Sequence, residues 1–214
     1  MNKLSKSSRR SFLEKSLLAT TALAVSGFSS NKKEFEISDT EDNINMIGPR
    51  EGYTPLIGTL VSMLENMTSQ VKNNIKNFTI EELDYQFDEK ANTIGALILH
   101  IVSSEKFHQV GTLQERPLNE EELKFWGPAR NLGDPSSKNI KGHDISYYLN
   151  IMDEVRNDSL RALKEKDDNW LLSVDPISEP GHSINKFWRW FHACEHMSNH
   201  NGQIKFLKSR LPGK

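Results

Sequence analysis

The chain contains 214 residues, of which 26% are charged and 36% hydrophobic, and its formal net charge is −2 at pH 7. This length suits one medium-sized domain with its own core, and the ordinary composition argues against a disordered chain. The near-neutral charge offers no basic field to a nucleic-acid partner. The single cysteine, Cys194, excludes an intrachain disulfide and a cysteine zinc site.

Residues 1–27 differ in character from the rest of the chain. A basic opening precedes a short apolar run, from Leu17 to Val25, which is the layout of an export signal and too short for a conventional transmembrane helix. No cysteine comes directly after this run, so a lipoprotein anchor is not expected. The stretch SRRSFLEK resembles the twin-arginine motif, with Glu14 where that motif often has lysine, through Ser8, Arg9, Arg10, Phe12 and Leu13.

The twin-arginine resemblance implies that the twin-arginine translocase exports the folded chain, and hence a bacterial, periplasmic location without a stable membrane anchor. The alternative is a basic N-terminal helix that stays on the protein. Loss of residues 1–27 would remove five basic residues and one acidic residue and change the net charge from −2 to −6. Residues 28–49 are polar and without period, and they are predicted to form a linker or arm before a helical domain at 50–214.

Four helices are predicted in this domain from apolar residues at spacings of three and four, over 54–77, 93–110, 145–166 and 184–211. Polar residues suitable as N-caps precede the last three helices: Asn92, Asp144 and Ser183. No strand pattern competes, so the sequence predicts an all-α fold, an up-and-down or crossover four-helix bundle.

The connection 111–142 is predicted to be a long crossover loop between the second and third helices. Its stretch FWGPARNLGDPSS has the proline and glycine content of loops. A loop of this length is typical of a lid or pocket wall. We therefore expect Trp126 or Arg130 to shape the binding of a substrate.

Three histidines follow one another at steps of four residues in the fourth helix. Each step turns an α-helix by 400°, so neighbouring members of the series His192, His196 and His200 lie about 40° apart on one face. This spacing allows the first two to bind one metal ion as readily as the last two. Apolar residues continue the same face at both ends, so we expect the histidines to point inward and to need a partner there.

A further histidine, His100, lies midway along the second helix. Small residues at 96, 103 and 104 leave room beside its imidazole, which is typical of a pocket wall or of close helix packing. Three inward histidines from two helices would provide three protein ligands and one open coordination position, as in catalytic zinc sites. The alternative is that these histidines only form hydrogen bonds in the core.

The stretches LILHIVSSE and EHMSNHNGQI resemble the DinB-like (damage-inducible B) metalloprotein superfamily over about residues 50–211. Its closing motif, H-x-x-x-H-x-G-Q and an aliphatic residue, is matched by His196, His200, Gly202, Gln203 and Ile204, with Asn201 where relatives often have arginine. The resemblance implies a four-helix bundle that holds a divalent metal ion through His100, His196 and His200.

The resemblance implies no ligand role for the neighbouring residues. His192 and Gln203 are expected to line the pocket or to support the ligands from behind, and Trp126 to line the pocket. Glu105 is expected to orient a ligand, to bind across the bundle or simply to be solvated. Cys194 lies on the opposite face as a small buried residue, and His108 is predicted at the surface near a helix end. No residue is assigned as a general base.

The resemblance also implies the chemistry, because characterised DinB-like proteins include thiol S-transferases, a maleylpyruvate isomerase and metal-dependent hydrolases. We expect an exported enzyme that carries out thiol transfer or hydrolysis of a small-molecule substrate. Its cofactor would be zinc, nickel, iron or manganese, with a low-molecular-weight thiol as cosubstrate. The alternatives are a non-catalytic periplasmic protein that binds metal or a small ligand, and a purely structural bundle. A homodimer is compatible with such a bundle.

Overall fold

A computed structural model describes residues 43–133, 137–178 and 181–213, all of which fall in one compact unit. The predicted signal at 1–27 and most of the predicted arm at 28–49 lie outside the described residues. The rest of the arm contacts the first long helix: Asn66 donates a hydrogen bond to the carbonyl of Ile44 at 2.9 Å, and Ser62 accepts one from the N–H of Gly48 at 3.1 Å.

Seven α-helices make up most of the described residues: α1 (Pro55–Ile75), α2 (Ile80–Leu83), α3 (Ile94–Leu113), α4 (Glu120–Arg130), α5 (Ile145–Lys164), α6 (Asp168–Leu172) and α7 (Lys186–Lys208). The only β pairing within this part of the chain is an isolated bridge between Val174 and Asn185. The predicted all-α class is therefore confirmed. No helix in the described ranges is both long and apolar enough to cross a membrane.

The four long helices, α1, α3, α5 and α7, form a bundle in which neighbours in sequence are not always neighbours in space. α3 packs against both α5 and α7, while α1 packs against α7 and, less extensively, against α5. The order around the bundle is therefore α1, α7, α3, α5, with α1 and α3 on one diagonal. The predicted four-helix bundle is confirmed in its crossover form.

The connection after α3 is more ordered than its prolines and glycines predict, because it contains α4. Asn119 accepts a hydrogen bond from the backbone N–H of Glu122 at 2.9 Å, and the Glu122 carboxylate accepts one from the N–H of Asn119 at 2.8 Å. This reciprocal capping box starts the helix, and three acidic residues in its first turn suit the helix dipole. The helix continues through Pro128 to Arg130. The prediction of a loop was wrong over this segment, because the capping box at Asn119 starts a helix that continues despite Gly127 and Pro128.

Two predicted N-caps are also corrected, each by one or two positions. Thr93 caps α3 by accepting a hydrogen bond from the N–H of Ala96 at 3.0 Å, while Asn92 accepts one from Gly133. Asn185 caps α7 in place of Ser183. Asp144 caps α5 as predicted, through the N–H of Tyr147 at 2.9 Å.

The contact between α3 and α5 depends on a glycine. A Cβ atom placed on Gly95 would lie 2.3 Å from the hydroxyl oxygen of Tyr148, whose side chain is completely buried. Because the ring is enclosed by the core, it cannot move aside without disturbing its neighbours. Gly202, on an exposed face of α7, has nothing within 4 Å of the same position.

We expect Gly95→Ala to lower the free energy of unfolding by about 1–3 kcal/mol through overpacking. The matched change Gly202→Ala is expected to raise it by about 0.5–1 kcal/mol, since alanine favours an unobstructed helix. Urea denaturation followed by circular dichroism measures both. Stabilisation by Gly95→Ala would contradict the packing described here.

Candidate metal centre

Helices α3 and α7 bring three histidines together: His100, His196 and His200, called the histidine trio below. The Nε2 atom of His196 lies 3.0 Å from Nε2 of His100 and 3.1 Å from Nε2 of His200. His196 and His200 share one face of α7 because they are four residues apart. Among the described residues, these three are the only group of histidine, cysteine and carboxylate side chains close enough to share a metal ion.

The hydrogen bonds behind two of the rings determine which nitrogen points into the trio. Nδ1 of His100 lies 2.9 Å from the carbonyl oxygen of Ala129, and Nδ1 of His200 lies 2.9 Å from Oε1 of Gln203. Both oxygens can only accept, so each Nδ1 carries the proton and donates. The Nε2 atoms of His100 and His200 therefore present lone pairs to His196.

No neutral form of His196 satisfies every atom of the trio. Its Nδ1 is buried and has no hydrogen-bond partner among the described residues, and its Nε2 contacts only the other two Nε2 atoms. A proton on Nε2 can bond well to one lone pair at a time, and a proton on Nδ1 leaves three lone pairs facing one another.

A cation bound by all three Nε2 atoms removes this conflict. Tetrahedral zinc with bonds of about 2.0–2.1 Å separates its ligand nitrogens by about 3.3 Å, close to the spacing in the trio. The residues present therefore fit a divalent metal ion.

The trio is held uncharged, as metal ligands must be. Burial lowers the pKa of His196 to about 3, and the neighbouring His200 and His100 add to the effect. Burial also lowers the pKa of both His100 and His200. All three imidazoles are thus neutral at pH 7 and free to donate a lone pair.

A cavity of about 280 Å³, called the histidine cavity, adjoins the trio at His100 and is lined by His100, Ser103, Ser104, Phe107, His108, Arg130, Trp188, Arg189 and His192. Its walls come from α3, α7 and the end of α4. No carboxylate belongs to this lining, whereas two guanidinium groups do. The cavity is therefore positively charged and partly aromatic.

The other predicted pocket residues are arranged around the trio in different ways. Gln203 bonds to His200, as described above. His192 lines the histidine cavity, stacks on Trp188 with ring centroids 5.2 Å apart, and lies 3.2 Å from the carboxylate of Glu195. Its ring centroid is 5.6 Å from that of His196, and it is not part of the trio.

Trp126 belongs to a second cavity of similar size on the far side of α4, lined by Leu99, Phe125, Trp126, Pro128, Ala129, Asn139, Ile140, His143 and Tyr147. This cavity is largely apolar and contains no member of the histidine trio. The structure therefore separates Trp126 from the histidine cavity. Arg130, four residues further along α4, is the part of that helix that lines it.

Glu105 binds across the bundle and does not orient a member of the trio. Its carboxylate accepts hydrogen bonds from Arg156 at 2.7 Å and from Ser159 at 2.6 Å, both on α5. All three residues are buried. This ion pair belongs to the packing of α3 on α5.

His108 is buried, and its predicted surface position was wrong. It lies in the last two turns of α3, which the sequence suggested were a solvated helix end. Helix α7 covers it there, with His192 and Arg189 of that helix close to its ring. Neither ring nitrogen has a partner among the described residues. Burial, followed by the charge of Arg189, lowers the pKa of His108 to about 3.

Sequence reasoning missed the two contributions of α4 to the site. These are the carbonyl of Ala129 and the placement of Arg130 beside His100. A backbone carbonyl leaves no signal in a side-chain pattern. The capping box at Asn119 was the one local feature from which α4 could have been found.

Comparison with known proteins gives a family and supports the fold. Residues 59–213 match the sequence model of the family described as mycothiol-S-transferase. No curated protein matches the chain.

Three solved structures share the fold. A conserved protein from Enterococcus faecalis is 11% identical, with a TM-score of 0.59 over 72% of this chain and 96% of its own. A DinB-like protein from Bacillus cereus ATCC 10987 is 17% identical, with a TM-score of 0.52 over 72% and 95%. YfiT from Bacillus subtilis, described as "a probable metal-dependent hydrolase with an unusual four-helix bundle topology", is 17% identical, with a TM-score of 0.52 over 76% and 92%.

The burial of His108 predicts a pH dependence of stability. Its pKa is lower in the folded than in the unfolded chain, so the unfolded chain binds more protons between about pH 6.5 and 3, and stability falls as the pH falls through this range. We expect the metal-free wild type to lose about 2 kcal/mol more than His108→Phe between pH 7.5 and 5.0. Urea denaturation at both pH values measures this, and equal losses would contradict it.

Proposed function

Because the chain belongs to the mycothiol-S-transferase family, we propose that it transfers a low-molecular-weight thiol to a small electrophilic molecule. The histidine trio, His100, His196 and His200, would hold the divalent metal ion that this reaction uses. The observation that carries the proposal is the convergence of three neutral Nε2 atoms, two of them oriented from behind by Ala129 and Gln203. Zinc, nickel, iron and manganese all accept imidazole ligands.

When bound, the ion would supply positive charge and an open coordination position, which lower the pKa of a coordinated thiol or water. Three neutral imidazoles leave the charge of the ion uncompensated. Gln203 and the Ala129 carbonyl would keep His200 and His100 in the ligating tautomer.

Thiol transfer is favoured over hydrolysis by the lining of the histidine cavity. Hydrolases of the HExxH type use a glutamate as the general base that activates water, and no carboxylate belongs to the described lining. A thiol is far more acidic than water, and it therefore loses its proton more readily without a general base.

His192 is the side chain best placed to accept the thiol proton. Its Nδ1–H faces Glu195, which leaves Nε2 as an acceptor on a cavity wall. The sulfur would then form a bond to the electrophilic carbon, and the leaving group would depart with its bonding electron pair.

We propose that the reaction takes place outside the cytoplasm. The basic opening, the paired Arg9 and Arg10 and the apolar run support export by the twin-arginine translocase. The alternative function, a non-catalytic periplasmic protein that binds metal or a small ligand, uses the same trio. It differs from the enzyme only in catalysing no turnover.

The ligand assignment predicts the metal content of variants. We expect His100→Ala, His196→Ala and His200→Ala each to lose the bound metal, and Gln203→Ala to bind it about 10–100-fold more weakly. His192→Ala serves as the control and is expected to keep it. Metal content by mass spectrometry after reloading and desalting measures this. Full metal content in His100→Ala would contradict the assignment.

The proposed reaction predicts metal-dependent consumption of thiol. We expect the metal-loaded wild type to accelerate the conjugation of mycothiol, glutathione or cysteine to an alkylating agent such as monochlorobimane, and the His196→Ala variant not to. Fluorescence of the conjugate measures the rate. If ester substrates are hydrolysed without thiol and no thiol is conjugated, the protein is a hydrolase, and if neither reaction occurs while metal binds, it is a binding protein.

A further inference from the structure

The histidine cavity contains more positive charge than its own residues neutralise. Arg189 is paired with the buried carboxylate of Asp175. Arg130, whose guanidinium carbon lies 4.0 Å from the ring centroid of Phe107, has no carboxylate partner among the described residues. Arg189 lies over the same ring, at 5.6 Å. Two guanidinium groups thus converge on one aromatic side chain, and among the described residues only that of Arg189 has a carboxylate partner.

The two guanidinium groups lie close to the histidine trio. Arg130 follows Ala129, whose carbonyl holds His100, so the uncompensated cation lies beside a proposed metal ligand. Both arginines line the cavity together with His108, whose pKa is lowered first by burial and then by neighbouring charges that include theirs. A ligand in this cavity therefore lies against His100, one of the proposed metal ligands, and against cationic guanidinium groups.

We propose that Arg130, assisted by Arg189, binds a carboxylate of the thiol, so that the preferred thiol is an anionic one. This proposal rests on the proposed function for the sulfur end of the ligand. A guanidinium group can donate two parallel hydrogen bonds to a carboxylate, and the ring of Phe107 keeps that of Arg130 in place. The cavity volume of about 280 Å³ lies just below the range of about 300–1,000 Å³ that is usual for ligand pockets, which suits a small acid such as a mercaptocarboxylate.

The preference for an anionic thiol can be measured as a difference in binding affinity, without any reaction taking place. Cobalt(II) is loaded in place of the native metal, and a sulfur-to-cobalt absorption band reports thiol binding. The probes are 3-mercaptopropionate and its uncharged analogue 3-mercapto-1-propanol. We expect the wild type to bind the acid about tenfold more tightly than the alcohol, the gain of a charge-assisted contact at a partly exposed site.

The variant that tests the assignment is Arg130→Gln, because Arg130 is exposed and forms no ion pair within the described ranges, whereas Arg189 binds a buried carboxylate. We expect this change to remove most of the preference by weakening binding of the acid while leaving binding of the alcohol unchanged. Lys124→Gln is the matched control, since it removes the same charge from α4 outside the cavity, and it is expected to keep the preference. Equal affinities in the wild type, or an unchanged preference in Arg130→Gln, would overturn the proposal.

A second measurement separates this proposal from the metal assignment. Succinate is titrated into the metal-free protein and followed by the fluorescence of Trp188, compared with the Trp188→Phe variant. Binding that is lost in Arg130→Gln supports the carboxylate site even if cobalt fails to bind, in which case only the proposed function fails. No succinate binding by the wild type would overturn the carboxylate site.

Discussion

The packing of α3 against α7 is the contact on which the rest of the site depends. It places the ring centroid of His100 4.7 Å from those of both His196 and His200, so that three Nε2 atoms meet. Further along the same contact, the buried Trp190 of α7 donates a hydrogen bond to Thr112 of α3 at 3.1 Å. A slip of one helical turn would move either helix by about 5.4 Å and separate the histidines. The side-by-side register of two helices thus determines whether the histidine trio forms.

The helix α4 connects the metal centre with the cavity beside it. Two consecutive residues have different tasks: the carbonyl of Ala129 orients His100, and the side chain of Arg130 adds positive charge to the cavity. Movement of this helix would therefore alter both the ligand and the binding surface. Its capping box and its contact with α3 oppose such movement.

Two buried carboxylates of the described residues are each paired with an arginine. Glu105 is neutralised by Arg156, and Asp175 by Arg189. His196 and His108, in contrast, have buried nitrogens without partners among the described residues, and Arg130 has no carboxylate. Unsatisfied buried groups are costly in a folded protein, and a ligand at the site could satisfy those of His196 and His108. The hydroxyl of Tyr148 and two nitrogens of Arg156 also lack partners among the described residues, but they lie away from the histidine cavity.

The sequence by itself determined the helices and part of the site. Apolar spacings predicted all four long helices, since helical periodicity is a local property, and the spacing of His196 and His200 placed both on one face. The family resemblance already implied that His100 meets this pair, and the tertiary structure brings the three side chains together. Only the tertiary structure decided that His108 is buried and that Glu105 binds to α5. It also showed that the Ala129 carbonyl contacts His100. This carbonyl belongs to a helix that the sequence did not predict, because Gly127 and Pro128 indicated a loop. These features depend on the packing of residues far apart in the chain, and no local pattern encodes the distance between two helices.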